Sequence, residues 1–303
     1  LKIVADPNTP NETVAVFKPL QTRQSQATVL GEFSAFLPTQ RSEARNVAVS
    51  NIDQTLGLNI TPASAIVNVE GHWGLALEYV RGDSHGHGVF HDHPELSVSQ
   101  VLGNGAALKD LANLEVLDVL VGQLDRHGGN YLVEIDPDTQ AYKGLKGIDH
   151  DHCLLPTNTI DVSRLRGRHL PDTQDTQLKD EGWRNSLGFK GVGLPNFIDR
   201  QTYESLTAPD AKSNVLKAVS GLIEAEAIEA LAQRWDVLVE HAKILEVRGR
   251  VVDDWQAREG EIIDTQKREL DHSYFAQHSL KRFGENGELG AVDLETPLRP
   301  PLR

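Results

Sequence analysis

The run from Leu111 to Asp149 leaves this chain the least freedom. Leu114, Leu117, Asp118, Val121 and Leu124 recur at helical spacing on a mostly apolar face, which predicts a helix that delivers the loop Asp125-Arg-His-Gly-Gly-Asn130. Gly128 and Gly129 let the backbone turn tightly between the carboxylate and the carboxamide. Tyr131-Leu-Val-Glu-Ile135 then reads as a strand, Asp136-Pro-Asp138 as a turn, and Tyr142 to Ile148 as the returning strand. A hairpin brings its two ends together, so Asp149 is expected beside Asn130. An anionic Asp next to a neutral Asn offers hard oxygen donors, which suit magnesium better than zinc.

Upstream, Thr13-Val-Ala-Val-Phe-Lys-Pro19 predicts a strand with Lys18 at its end. Val47, Ile52 and Leu56 predict a helix over 42–56 with Gly57 as its C-cap. Residues 63–69 and 73–80 flank Glu70-Gly71-His72 and read as a hairpin that ends at the Arg81-Gly82 break. Downstream, the chain is polar and irregular to about residue 190. Gln201 to Leu206, Asn214 to Arg234 and Trp235 to Arg258 then read as helical, and the residues after about Arg282 as a tail.

Composition narrows the function. With 303 residues, 39% of them hydrophobic, the chain can bury a large core. A net charge of −14 argues against generic nucleic-acid binding, whose affinity comes largely from Lys and Arg. No stretch approaches the roughly 20 apolar residues of a membrane span, and no signal-peptide pattern opens the chain. With Cys153 as the lone cysteine no internal disulfide can form, which fits a reducing compartment. A cytoplasmic protein, or one delivered into a host cell as an effector, is expected.

Phosphoryl transfer needs a cation on the nucleotide phosphates, magnesium held by oxygen ligands, and a group that orients or deprotonates the acceptor hydroxyl. Lys18, then Asp125 and Asn130, then Asp149 supply these in that order. Val14-Ala-Val-Phe-Lys-Pro19 resembles the ATP-lysine strand of type II phosphatidylinositol 4-kinases and related bacterial atypical kinases. Leu117-Asp-Val-Leu-Val-Gly-Gln-Leu-Asp-Arg-His-Gly-Gly-Asn-Tyr-Leu132 resembles their helix and catalytic loop, and Gly147-Ile-Asp149 their metal-binding segment. The resemblance covers roughly residues 13–155.

It implies an α+β, two-lobed protein-kinase-like fold: a small β-rich N-lobe over 1–82, a mainly helical C-lobe over 83–282, and a tail over 283–303. It also implies roles. Lys18 would contact the phosphates of ATP, and Leu77, Glu78, Tyr79 and Val80 would form the hinge that binds adenine. Asp125 would orient or deprotonate the acceptor with help from His127, and Asn130 and Asp149 would hold Mg2+. The acceptor would be a protein or phosphoinositide hydroxyl, host-derived if the protein is an effector.

The chain departs from the family at three places, the first being that no convincing Gly-rich phosphate loop precedes Lys18. Asn46 stands where an acidic partner of the lysine is expected, with Glu43 as a displaced candidate, and His150-Asp-His152 follows Asp149 in place of a glycine element. Asp151 is therefore a candidate second metal ligand. Transfer of AMP, or nucleotide binding without turnover, would use the same residues. His85, His87, His91 and His93 with Asp92 could bind zinc or nickel in a hydrolase, although a solvated loop explains them better. Cys153, Trp183, Trp235 and Trp255 are expected in packing roles.

Overall fold

The computed structural model describes residues 2–4, 13–19, 42–84, 104–123, 126, 130–136, 138–151, 153–155 and 194–268. It is a mixed α and β structure. Strands β1 (Lys2–Val4), β2 (Thr13–Pro19), β3 (Ser64–Val69) and β4 (His72–Glu78) form an antiparallel sheet in the order β1-β2-β4-β3. The β3–β4 turn closes in two residues, Val69 pairing with His72, with Glu70 and Gly71 both at positive φ. That is the turn geometry whose twist matches its strands, and it wants glycine in the second place.

Helix α1 (Ser42–Leu56) precedes this hairpin, with Gly57 left-handed just beyond it. Asp53, buried near the end of α1, accepts bonds from the backbone N–H of Ile60 and of Thr61 and from the Thr61 hydroxyl. The Ile60 carbonyl in turn accepts the Gly147 N–H at 2.7 Å, which ties this loop to the edge of the second sheet.

Helix α2 (Gly105–Val121) is the central element. Asn104 caps its start by accepting the Ala107 N–H, and Gly122 ends it at φ 64. Its residues are buried on almost every side, as expected of a helix with apolar residues all round. Above it lies the sheet of β5 (Asp83–Ser84), β6 (Tyr131–Ile135) and β7 (Tyr142–Gly147), in that order and antiparallel. Tyr131, Val133 and Leu145 point into the core with Leu114 and Leu117.

The remaining described chain holds β8 (Ile198–Asp199), α3 (Arg200–Thr207), α4 (Ala211–Val219), α5 (Ala225–Val247), β9 (Val251–Val252) and α6 (Glu259–Arg268). Two expectations need correction here. The helical run expected over 214–234 is broken by a turn at Ser220–Ile223, with Gly221 at φ 79, so α4 and α5 are separate. Residues 235–258 are not helical throughout: α5 stops at Val247, Gly249 turns left-handed, and β9 pairs in parallel with β8. Trp235 and Trp255 are buried, as expected. Trp183, the histidine run over 85–93 and the tail over 283–303 lie outside the described residues.

One apolar cluster joins Ala48, Val49 and Ile52 of α1 to α2, to β6 and β7, and to Val215, Leu231 and Leu238 of the C-terminal helices. The cluster therefore holds residues from both sides of residue 82, although Phe17 and Leu75, buried in the four-stranded sheet, lie outside it. Besides sharing this core, α1 is bonded to α4, where the Asn51 amide donates to the Ala218 carbonyl.

Candidate functional site

Pairing register puts Lys18 opposite Leu75, Val16 opposite Leu77, and Leu77 in turn opposite Ser64. Residues opposite one another share a sheet face. Ser64 bonds α1 through its hydroxyl, which donates to the Asn46 carbonyl, so Lys18 stands on the α1 side of the sheet. It is exposed and makes no ion pair with a described residue.

The hairpin brings Asn130 and the segment before Asp149 together. The Ile148 N–H donates to the Asn130 carbonyl at 2.9 Å, one step beyond the Tyr131–Gly147 pair. Asn130 is buried, whereas Asp149 is exposed and left-handed at φ 58, an unfavourable place for most side chains and one Asp tolerates better than most. These are hard oxygen donors of the kind magnesium takes. Among the described residues no group of three or more His, Cys, Asp or Glu side chains could hold a metal ion. Two protein ligands suffice for an ion that keeps waters and phosphate oxygens as its other partners.

Arg126 organises this junction. Its guanidinium forks onto Asp118 of α2, with Nε donating at 2.9 Å and Nη2 at 2.8 Å. Nη1 donates to the carbonyls of Asn130 and, at 2.9 Å, Ile148. Nη2 also lies 3.4 Å from His150 Nδ1, while His150 Nε2 lies 3.2 Å from the Gly147 carbonyl. A neutral ring with its proton on Nε2 satisfies both contacts. Burial, reinforced by the Arg126 charge, pushes the His150 pKa well below its ordinary value. Burial pushes the Asp118 carboxyl up, against the pull of Arg126. Gly147 is required where β7 crosses this group, because a Cβ there would stand 2.7 Å from Leu114 Cδ1 and 3.2 Å from Arg126 Nη2.

From the other side, Asn46 of α1 donates to the Asp151 carboxylate at 2.6 Å and accepts the His150 N–H at 3.3 Å. Arg45 donates to the Asp151 carbonyl at 3.1 Å. Asn46 is thus turned to the segment after Asp149 and not to Lys18. Cys153 is fully buried, and desolvation raises its thiol pKa well above the ordinary value, which fits a packing role.

Three of the four residues expected to form a hinge border a cleft of about 420 Å³, within the range of small-molecule sites. Glu78, Tyr79 and Val80 line it together with Leu132, Glu134 and Lys146 from the outward face of the hairpin. Leu77, Lys18, Asn130 and Asp149 do not. The Glu78 and Tyr79 N–H groups already donate to the Ala63 and Val14 carbonyls, and Val80 is the first of these residues past the ladder. Asp125 and His127 lie outside the described residues, so of their loop only Arg126 and Asn130 are placed.

Arg126, Asp118 and Asn46 were not among the residues expected to matter as a group. Their signals were an acid inside an apolar helical stripe with an arginine eight residues on, and an amide where an acid was expected.

No family model matches the chain, and no curated protein matches it. Among solved structures it is similar to the crystal structure of a Helicobacter pylori proinflammatory kinase, CtkA, at 14% identity, covering 75% of this chain and 90% of that chain with a TM-score of 0.30. A TM-score of 0.30 carries no argument about function. No helix among the described residues is long and apolar enough to cross a membrane.

Proposed function

We propose that the chain is a two-lobed, protein-kinase-like phosphotransferase that uses ATP and Mg2+ and moves the γ-phosphoryl group to a hydroxyl of a protein or phosphoinositide. The observation that supports the reading is the bond from the Ile148 N–H to the Asn130 carbonyl, which draws the segment leading to Asp149 to the start of the β6–β7 hairpin, beside the buried Arg126–Asp118 pair. Magnesium, when bound, neutralises charge on the transferring phosphate. Asn130 and Asp149 would hold it, and Lys18 would meet the phosphates from the sheet above. The base would enter the cleft under the hinge, with Leu132 as floor and the Val80 backbone as its partner. Asp125 would orient or deprotonate the acceptor, assisted by His127. Such a site works by positioning and charge stabilisation.

A second reading, nucleotide binding without turnover, is favoured by one observation: Lys18 has no ion pair with a described residue, and Asn46 is engaged elsewhere. Incubation with Mg2+ and either γ-labelled or α-labelled ATP separates the two, offering phosphoinositide vesicles and cell lysate in parallel, with Asp125→Ala and Asp149→Ala as controls. Label transfer lost in both variants supports the phosphotransferase. Nucleotide binding without transfer of γ-label supports the second reading, and transfer of α-label in its place would reveal an AMP transferase.

A further inference from the structure

We infer that Asn46 is a positioning residue that sets the place of the Asp149 carboxylate, so that the seating of α1 governs how well the protein takes up magnesium with nucleotide. The inference rests on the phosphotransferase reading for its purpose and on geometry for its substance. Asn46 is buried, and every polar atom of its amide is used: Nδ2 donates to the Ser42 carbonyl at 3.0 Å and to Asp151 Oδ1 at 2.6 Å, and Oδ1 accepts the His150 N–H at 3.3 Å. Its neighbour Arg45 adds a bond to the Asp151 carbonyl. Two consecutive residues of α1 thus hold the two residues that directly follow Asp149, about a hundred positions away in sequence.

The other side of the same segment is fixed to α2, through Arg126 to the Ile148 carbonyl and to His150. Asp149 is the exposed, left-handed residue between these two anchors. Its backbone cannot relax while both hold, and an outward shift of α1 would release one of them. Asp151 is consequently held as part of the clamp, its carboxylate taken up by Asn46, rather than as a second metal ligand.

A charge swap tests this. Asn46→Asp sets two carboxylates against each other, and adding Asp151→Asn restores a donor to that pair while Asp at 46 still accepts the His150 N–H. The first readout is the Mg2+ concentration that half-saturates binding of a fluorescent ATP analogue, which needs no turnover. Asn46→Asp should raise it about tenfold, the size of one buried charge-assisted bond, and the double variant should recover most of that loss. The second readout is amide hydrogen exchange of the peptide spanning 148–153, which Asn46→Ala should speed about tenfold. Unchanged exchange in Asn46→Ala, or a double variant no better than Asn46→Asp, overturns the inference. A wild-type protein that binds Mg2+-nucleotide with this dependence on Asn46, yet transfers no γ-label, keeps the inference and sinks the phosphotransferase reading.

Discussion

Arg126 offers the sharpest test of how the site is built. Arg126→Met removes two donors from Asp118, one each from the Asn130 and Ile148 carbonyls, and the contact with His150. It leaves Asp118, with no exposed surface, as a buried carboxylate without its counter-ion. Breaking one side of such a pair costs about 3–5 kcal/mol, a large share of the roughly 5–15 kcal/mol that holds a typical domain together. The sign of the pH dependence identifies the cause. Burial already raises the Asp118 pKa, and without Arg126 it rises further, so the folded variant binds a proton that the unfolded chain releases. Its stability deficit should therefore grow with pH and be smaller at pH 5 than at pH 8. Replacing both partners, Asp118→Leu with Arg126→Met, should recover about 2–3 kcal/mol of the loss, because no charge is left buried. Label transfer should not return with it, since the two carbonyls of the hairpin ends still lack their donor. Urea unfolding at both pH values measures all three proteins. An Arg126→Met deficit under about 1 kcal/mol, or a double variant no more stable than the single one, would falsify the account.

Three further outcomes are expected. Lys18→Met should lower γ-label transfer on the order of 10²–10³-fold while leaving the urea midpoint unmoved, as suits an exposed cation acting on phosphate; a shifted midpoint would mean a structural lysine. Acid should weaken the wild-type fold through His150 and His241, both buried, the latter lowered to about 4 by desolvation. Because their folded pKa values are depressed, the unfolded chain gains protons first as pH drops below about 6.5, and stability should fall by up to about 1.4 kcal/mol per pH unit for each. His241→Phe should remove one of these two contributions in thermal melts at pH 7 and pH 5. Gly147→Ala should cost about 1–3 kcal/mol by forcing Leu114 or Arg126 aside, and a wild-type melting temperature for that variant would contradict the packing described.

Much of this could be read from the sequence because it rests on short-range signals. The α1 stripe with its Gly57 cap, the Glu70-Gly71 turn and the Tyr131–Gly147 hairpin each carry their periodicity and turn residues within a few positions, and each formed as expected. The approach of Ile148 to Asn130, one step beyond the Tyr131–Gly147 pair, followed from hairpin geometry alone. Long-range choices were hidden. Nothing near Asn46 announces that it bonds Asp151, and nothing near Asp118 says that an acid in an apolar stripe waits for Arg126. The split of the C-terminal helices at Gly221 and Gly249 was missed because apolar spacing continues across both glycines, and only the packing of α4 and α5 resolves where the chain must turn.

The cluster shared by α1, α2 and the C-terminal helices has a consequence for dissecting the molecule. Every motif that suggested phosphoryl transfer lies before residue 156, so a fragment ending there would look like a natural minimal unit. Such a piece would lack Val215, Val219, Leu231 and Leu238, the apolar partners that belong to one cluster with α1 and α2. It would also lose Arg234, whose Nε donates to the Leu120 carbonyl at the end of α2, just where the loop leaves the helix. The stretch that holds these motifs shares its apolar cluster with the helices that follow it. A truncated gene that kept only the motifs would keep the letters without the C-terminal helices packed against α1 and α2.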